Sequence, residues 1–330
     1  MAAERVRWGI IGVGDVTERK SGPAFQLAEG SELVAVMRRT PGLAEDYARR
    51  HGVGRWYDDA DTLIGDPEVD AVYIATPPSS HQEYAVKVAE AGKAVYVEKP
   101  MGRTAAECEA MLAAADRGGV PLYVAYYRRA MPRFGIVRNL IRDGEIGAPR
   151  AVIVRGEKVA TESRTAGLPW RVVPAVSGGG HFVDLASHAL DLLDWLFGPI
   201  TSVAGNATNT GGHYDAEDRI TARFGFESGV EGVGVWHYDS YRDLDSIEVV
   251  GSRGSLTFSC FGEEPLRLTT AAATREIEAP YPSVVQLPLV QTIVDALTGR
   301  GPEPVSTGRT AIRTARVVDA VLASYRGAHS

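Results

Sequence analysis

Only two cysteines, Cys108 and Cys260, occur in 330 residues. They lie far apart and in no metal-like spacing, so a disulfide framework is not indicated and a reducing compartment is expected. Long apolar runs are missing too. The first residues carry Glu4, Arg5 and Arg7 and lead straight into a strand-like segment, leaving no stretch suited to a signal peptide or a membrane span, so a cytoplasmic protein is expected. Nor is there a block of one charge. Thirty-five basic residues against 42 acidic ones give a formal charge of -7, with no electrostatic footprint for nucleic acid or an anionic membrane. The expected partner is a small molecule. No internal repeat or low-complexity segment is visible.

What is present is ordinary globular chemistry: 45% hydrophobic, 23% charged and 8% aromatic residues. At roughly 100 to 200 residues per domain, the length favours two domains, each able to bury a core. Up to about residue 125, short apolar runs at 6–11, 33–37, 71–75, 94–97 and 122–125 alternate with amphipathic stretches at 18–29, 43–51, 81–91 and 105–117. That alternation is the mark of βαβ units and a doubly wound parallel sheet. Beyond residue 150 the texture becomes strand-rich, with runs at 151–157, 202–209, 220–226, 231–238, 246–250 and 255–259, and helices expected near 182–197 and 309–326.

The first strand ends in Gly9-Ile10-Ile11-Gly12-Val13-Gly14-Asp15-Val16, the first two glycines of a dinucleotide loop. Gly12 would permit the tight turn, and Gly14 would let the backbone approach a pyrophosphate at the start of a helix. The third position is Thr17 rather than Gly or Ala. The second strand ends in Met37-Arg38-Arg39-Thr40, where an NAD-binding domain commonly places an acid. A carboxylate accepts hydrogen bonds from the ribose 2'-hydroxyl and repels a 2'-phosphate, whereas a guanidinium binds that phosphate. NADP is the expected cofactor and NAD the alternative; both arginines as solvated loop charges is the plainer reading.

Ala75-Thr76-Pro77-Pro78-Ser79-Ser80-His81 and Ala91-Gly92-Lys93-Ala94-Val95-Tyr96-Val97-Glu98-Lys99-Pro100 follow. With Val124 to Arg129, Trp170-Arg171 and Ser177 to His188, they give a chain that resembles, over nearly its whole length, the oxidoreductases that include glucose-fructose oxidoreductase and inositol 2-dehydrogenase. The Glu-Lys-Pro signature is the most specific mark. The resemblance implies an α/β N-terminal Rossmann domain over 1–125 and an α+β C-terminal domain over 126–330. The second domain would have a large, mostly antiparallel open sheet, would bind substrate and would form a homodimer or homotetramer; its last helix would pack back toward the first domain. It further implies an active site in the cleft between the domains, where hydride passes between nicotinamide and a secondary alcohol or ketone of a sugar or polyol. Cofactor contacts would come from Gly12, Gly14, Asp15, Val16, Arg38, Arg39, Thr40, Thr76, Pro77, His81, Glu98 and Lys99. Lys99 would be the pocket lysine, His188 the acid/base and Asp184 its acidic neighbour. Tyr127, Arg128, Trp170, Arg171 and His181 are candidates for substrate contact. Tyr127 stands where relatives often have Asn.

The chemistry of these residue types agrees. Removing hydride from a carbinol carbon requires the hydroxyl proton to leave as well, and histidine can take it near neutral pH. Asp184 and His188, four apart on a helix, share a face, so the carboxylate could steady the imidazole. Lys99 follows a strand on the ligand-binding side of an open α/β sheet, where its ammonium can stabilise a developing alkoxide. Each has a plainer reading as a surface charge or an ordinary helix-face pair, and aromatic packing explains the substrate candidates nearly as well. His181, Asp184 and His188 also fall at metal-like spacing, with Asp191 as an extension, although hydride transfer needs no metal and none is expected. Two further readings stay open: a nucleotide-binding regulator of sugar metabolism without turnover, and an NAD-assisted glycosidase.

Overall fold

Three strands of the N-terminal half are short, apolar and buried at every position, as a parallel sheet between helical layers requires. In the computed structural model, which describes residues 4–162, 164 and 167–328, every residue of Ala71–Ile74 and Ala94–Val97 is buried. With β1 (Val6–Ile11), β2 (Ser31–Met37), β3 (Arg55–Tyr57), β4 (Ala71–Ile74), β5 (Ala94–Val97) and β6 (Leu122–Val124), the sheet order is β3-β2-β1-β4-β5-β6. All its strand pairs are parallel. This is the expected Rossmann arrangement, with the order reversing between β1 and β4, where such sheets bind their ligands.

The C-terminal half follows the opposite pattern. β7 (Pro149–Glu157), β8 (Ile200–Thr208), β9 (Arg219–Phe226), β10 (Glu231–His237), β11 (Leu244–Gly251), β12 (Gly254–Phe258), β13 (Leu266–Thr270) and β14 (Thr274–Ile277) form one sheet of order β14-β13-β12-β11-β7-β10-β9-β8. Only the β7–β10 pair is parallel. Buried and exposed residues alternate along β9 and β10, so one face meets a core and the other lies open. The inner face is covered by the helical stretch Phe182–Phe197, whose Phe182 ring sits edge-on to Trp236 at 5.1 Å. Arg313 of the last helix clasps the buried Asp194 through Nε at 2.9 Å and Nη2 at 2.6 Å.

The chain divides into two compact units, and the division differs from a cut at residue 125. The first unit runs to Met131 and takes in Pro282–Ile312; the second holds Pro132–Tyr281 and the chain from Arg313 on. Hydrogen bonding explains the return. Ser306 Oγ donates to Val124 O at 2.7 Å, Tyr123 pairs with Thr307, and Tyr96 donates its hydroxyl to Gln286 at 2.8 Å. The last helix, Gly308–Ala328, therefore starts in the first unit and continues in the second. β3, β13, β14 and the helices Pro132–Arg142 and Leu287–Leu297 were not foreseen. Among the described residues no helix is long and apolar enough to cross a membrane.

Candidate active site

In the first unit the sequence-predicted residues gather at the C-terminal ends of the parallel strands. Gly12 has φ +94°, and a Cβ on it would sit 2.7 Å from Thr76 Cγ2, so only glycine fits against the loop after β4. A Cβ on Gly14, by contrast, would meet nothing within 4 Å, leaving the backbone approachable from outside. Thr17 replaces the third glycine by building a cap: its hydroxyl accepts from Gly14 N at 2.9 Å and donates to Gly14 O at 2.8 Å. The Gly14 amide is thus held internally, and a pyrophosphate would have to use the amides that follow. Arg38 Nη1 donates to Val13 O at 3.1 Å, placing the guanidinium beside the glycine loop, while Arg39 and Thr40 are exposed.

Glu98 and His81 fix the loops that carry Thr76 and Lys99. Glu98 Oε1 accepts from Tyr73 at 2.5 Å and from Gln286 at 2.7 Å, while Oε2 accepts from Lys99 N at 3.0 Å. His81 is fully buried, with Nε2 2.7 Å from Thr76 O and Nδ1 3.1 Å from Pro100 O. Burial lowers its pKa against the pull of those carbonyls. The ring therefore sits between the Thr76 loop and the Lys99–Pro100 loop, and as a neutral imidazole it donates to one of the two carbonyls at a time. Lys99 itself is half-buried, in a turn whose peptide to Pro100 is cis. Tyr127 and Arg128 lie in a buried single turn after β6, with the guanidinium 5.0 Å from the Tyr127 ring.

In the second unit, Phe182–Ala186 is a π-helical turn that runs into the α-helix Ser187–Phe197. Such turns are rare and often found at functional sites. Asp184 leaves the π turn and His188 the first α turn. Arg171, stacked 4.5 Å over the Trp170 ring, approaches Asp184 with Nε at 3.5 Å from Oδ2. His188 is 4% exposed and meets Phe261 edge-on at 5.7 Å. Next to this helix lies a cavity of about 750 Å³ lined by Leu185, Ala186, Ala189, Trp236 and Phe261, and by the carboxylates of Asp243 and Asp245.

His181 turns elsewhere. Its Nε2 lies 2.7 Å from Glu162 Oε1, both side chains are 6% exposed, and the ring packs against Tyr214 and Tyr238. Burial pushes the Glu162 carboxyl up, but the His181 bond and the Thr161 amide pull it below the ordinary range. Among the described residues no three His, Cys, Asp or Glu side chains are grouped to hold a metal ion, so His181, Asp184 and His188 do not form the ligand set that their spacing allowed. Sequence reasoning missed Tyr73 and Gln286 as partners of Glu98 and Glu162 as the partner of His181. Gln286 reaches Glu98 across 188 positions, and no local pattern marks such a pair.

Comparison with known proteins agrees with both halves. Residues 6–126 match the model of the oxidoreductase family with an NAD-binding Rossmann fold, and residues 134–257 match the GFO/IDH/MocA C-terminal domain. The chain is 35% identical over 318 residues to Oxidoreductase P35 of Formosa agariphila, covering 94% of this chain and 96% of that one. It is 30% identical over 276 residues to scyllo-inositol 2-dehydrogenase (NAD(+)) of Bacillus subtilis, covering 81% and 78%. Among solved structures, aldose-aldose oxidoreductase from Caulobacter crescentus, complexed with glycerol, superposes with a TM-score of 0.85 at 28% identity, over 98% of each chain. With two family models that together cover most of its length, the chain belongs to the GFO/IDH/MocA family of oxidoreductases.

Proposed function

We propose that the protein is an NADP-preferring dehydrogenase or reductase acting on a secondary alcohol or ketone of a sugar, cyclitol or related polyhydroxy compound. One observation carries this reading: Asp184 and His188 leave one helical stretch a turn apart, and Leu185, Ala186 and Ala189 of that stretch line a cavity of about 750 Å³. Pockets of that size suit small ligands. Its aromatic surfaces can take the C–H face of a sugar ring, and its carboxylates can accept hydroxyl hydrogen bonds. Relatives named for inositol, apiose and levoglucosan support the substrate class.

The residues of the first unit fit a nicotinamide dinucleotide. Gly14 leaves open space, the amides of Asp15 and Val16 follow it, and Arg38 with Arg39 and Thr40 ends β2 with no carboxylate among them. When bound, the nicotinamide supplies the two-electron acceptor or donor. Lys99 is assigned the reacting oxygen, whose developing negative charge an ammonium stabilises. His188 is assigned its proton. Asp184, partnered by Arg171, orients the imidazole and offsets its charge.

The open face of the eight-stranded sheet exposes Ile153, Val233 and Val235 at 38%, 51% and 49%, adjacent apolar residues on paired strands. We assign that face to a homodimer or homotetramer contact. The deciding experiment is a spectrophotometric screen of the purified protein against neutral sugars, sugar acids, inositols and their keto forms, with both nicotinamides and in both directions. Turnover of none of them would overturn the reading.

A further inference from the structure

The helix that carries Asp184 and His188 starts without a cap of its own. His181 occupies its N-cap position and makes no side-chain cap hydrogen bond, and the residues before it are Gly178, Gly179 and Gly180. The residue just ahead of that cap is held from far along the chain: Gly180 N donates to Glu217 Oε1 at 2.8 Å, and Glu217 is 1% exposed. The glycines make the room. A Cβ on Gly179 would lie 3.1 Å from both Glu217 carboxyl oxygens, and one on Gly180 would lie 2.8 Å from Glu217 O and 2.9 Å from Ala216 Cβ. From the other side Arg326 Nη2 donates to Gly178 O at 2.7 Å. Asp184 N then bonds to Gly180 O at 3.2 Å, so the residue that Glu217 holds is also the first link to the π turn.

We propose that Glu217 is a positioning residue for the reaction, its carboxylate seated in the Gly179–Gly180 notch and fixing the direction in which Asp184 and His188 leave the helix. This rests on the roles assigned above to those two residues. An ionised acceptor makes roughly twice the bond of a neutral one, and negative charge ahead of a helix start is favoured by the helix dipole. Burial pushes the Glu217 carboxyl up to about 7, against the Gly180 amide and the Arg326 guanidinium, while Asp218 pushes it up further. Tyr214, Tyr238 and Tyr325 also face it. Beyond the glycines stands the His181–Glu162 pair. Asp218 is engaged by the amides of Thr210 and Gly211, and Arg326 also by Asp319. The strength of the hold therefore changes across neutrality.

Glu217→Gln keeps the acceptor and loses the charge; Glu217→Ala loses both. Two readouts on the full chain decide the matter: hydrogen exchange at the Gly180 amide without ligands, and pH profiles of kcat and KM. In the unmodified protein the Gly180 amide, corrected for intrinsic exchange, should be better protected at about pH 8 than at about pH 6, and Glu217→Gln should abolish that difference. Glu217→Ala should lower kcat about tenfold or more with the cofactor KM unchanged, and Glu217→Gln should restore most of kcat but lose one step of the profile near neutrality. Unchanged Gly180 exchange in Glu217→Gln, or an unchanged kcat profile beside altered exchange, would overturn the proposal. Should the alanine variant fail to fold, the glutamine variant alone decides. Full turnover by His188→Ala would instead refute the assigned acid/base, whereas the exchange measurement reads the Glu217 hold without any turnover.

Discussion

Gln286 donates its side-chain amide to Glu98 at 2.7 Å and accepts the Tyr96 hydroxyl at 2.8 Å. One side chain thereby fastens the segment after Tyr281 to β5 and the turn that leads from it to Lys99. Gln286→Ala would orphan a buried tyrosine hydroxyl and take one donor from a buried carboxylate. Hydrogen bonds to charged groups contribute about 1.5 to 3 kcal/mol each, so we expect a loss on the order of 2 to 4 kcal/mol in denaturant titration. A loss below about 1 kcal/mol would show that the bridge carries no load.

His188→Ala should lower turnover about 10²- to 10⁴-fold while leaving cofactor affinity intact, because a general acid/base acts on the reacting oxygen and not on the dinucleotide. Asp184→Asn should cost less. Lys99→Ala should stay folded, and Lys99→Arg should not restore activity, since the guanidinium is broader and differently directed. Steady-state kinetics beside thermal melts separate the catalytic from the structural effects.

Arg38→Asp should reverse or erase a preference for NADP. At about 1.5 to 3 kcal/mol for a charge-assisted contact, one arginine supports roughly a 10- to 100-fold preference. Titration of each cofactor at low and high salt measures it, and the NADP affinity should fall more steeply with salt. Equal dissociation constants in the unmodified protein would refute the assignment.

Stability should fall as pH rises from about 4.5 to 7 because of Glu217. Its carboxyl titrates at about 7 when folded against an ordinary 4.5, so the folded state binds the proton more tightly. That contribution is complete below the unfolded value and is lost between about pH 4.5 and 7. The shift corresponds to something on the order of 3 kcal/mol. Glu217→Gln should flatten this slope and melt above the unmodified protein at about pH 8, as melting temperatures across that window will show.

The sequence by itself determined the period of the longer, strongly patterned elements and the chemistry at strand ends. Apolar runs followed by amphipathic stretches specified the parallel sheet, whereas the alternate burial of β9 and β10 came from the fold: in β10 the exposed positions include Val233 and Val235 and the buried ones Gly232 and Gly234. Gly12, Glu98-Lys99-Pro100 and the Asp184/His188 spacing were legible because each lies within a few consecutive residues. Edge strands such as β3, with three residues, and the exposed β14 carried too little pattern to read. Only the tertiary structure decided which distant side chains complete the site's supports: Gln286 on Glu98, His81 between two loops, Glu217 behind the triple glycine. It also returned 282–312 to the first unit. The physical reason is common to all of these. A buried carboxylate or imidazole must find hydrogen-bond partners wherever the fold supplies them, and a partner's distance along the chain leaves no trace in local periodicity.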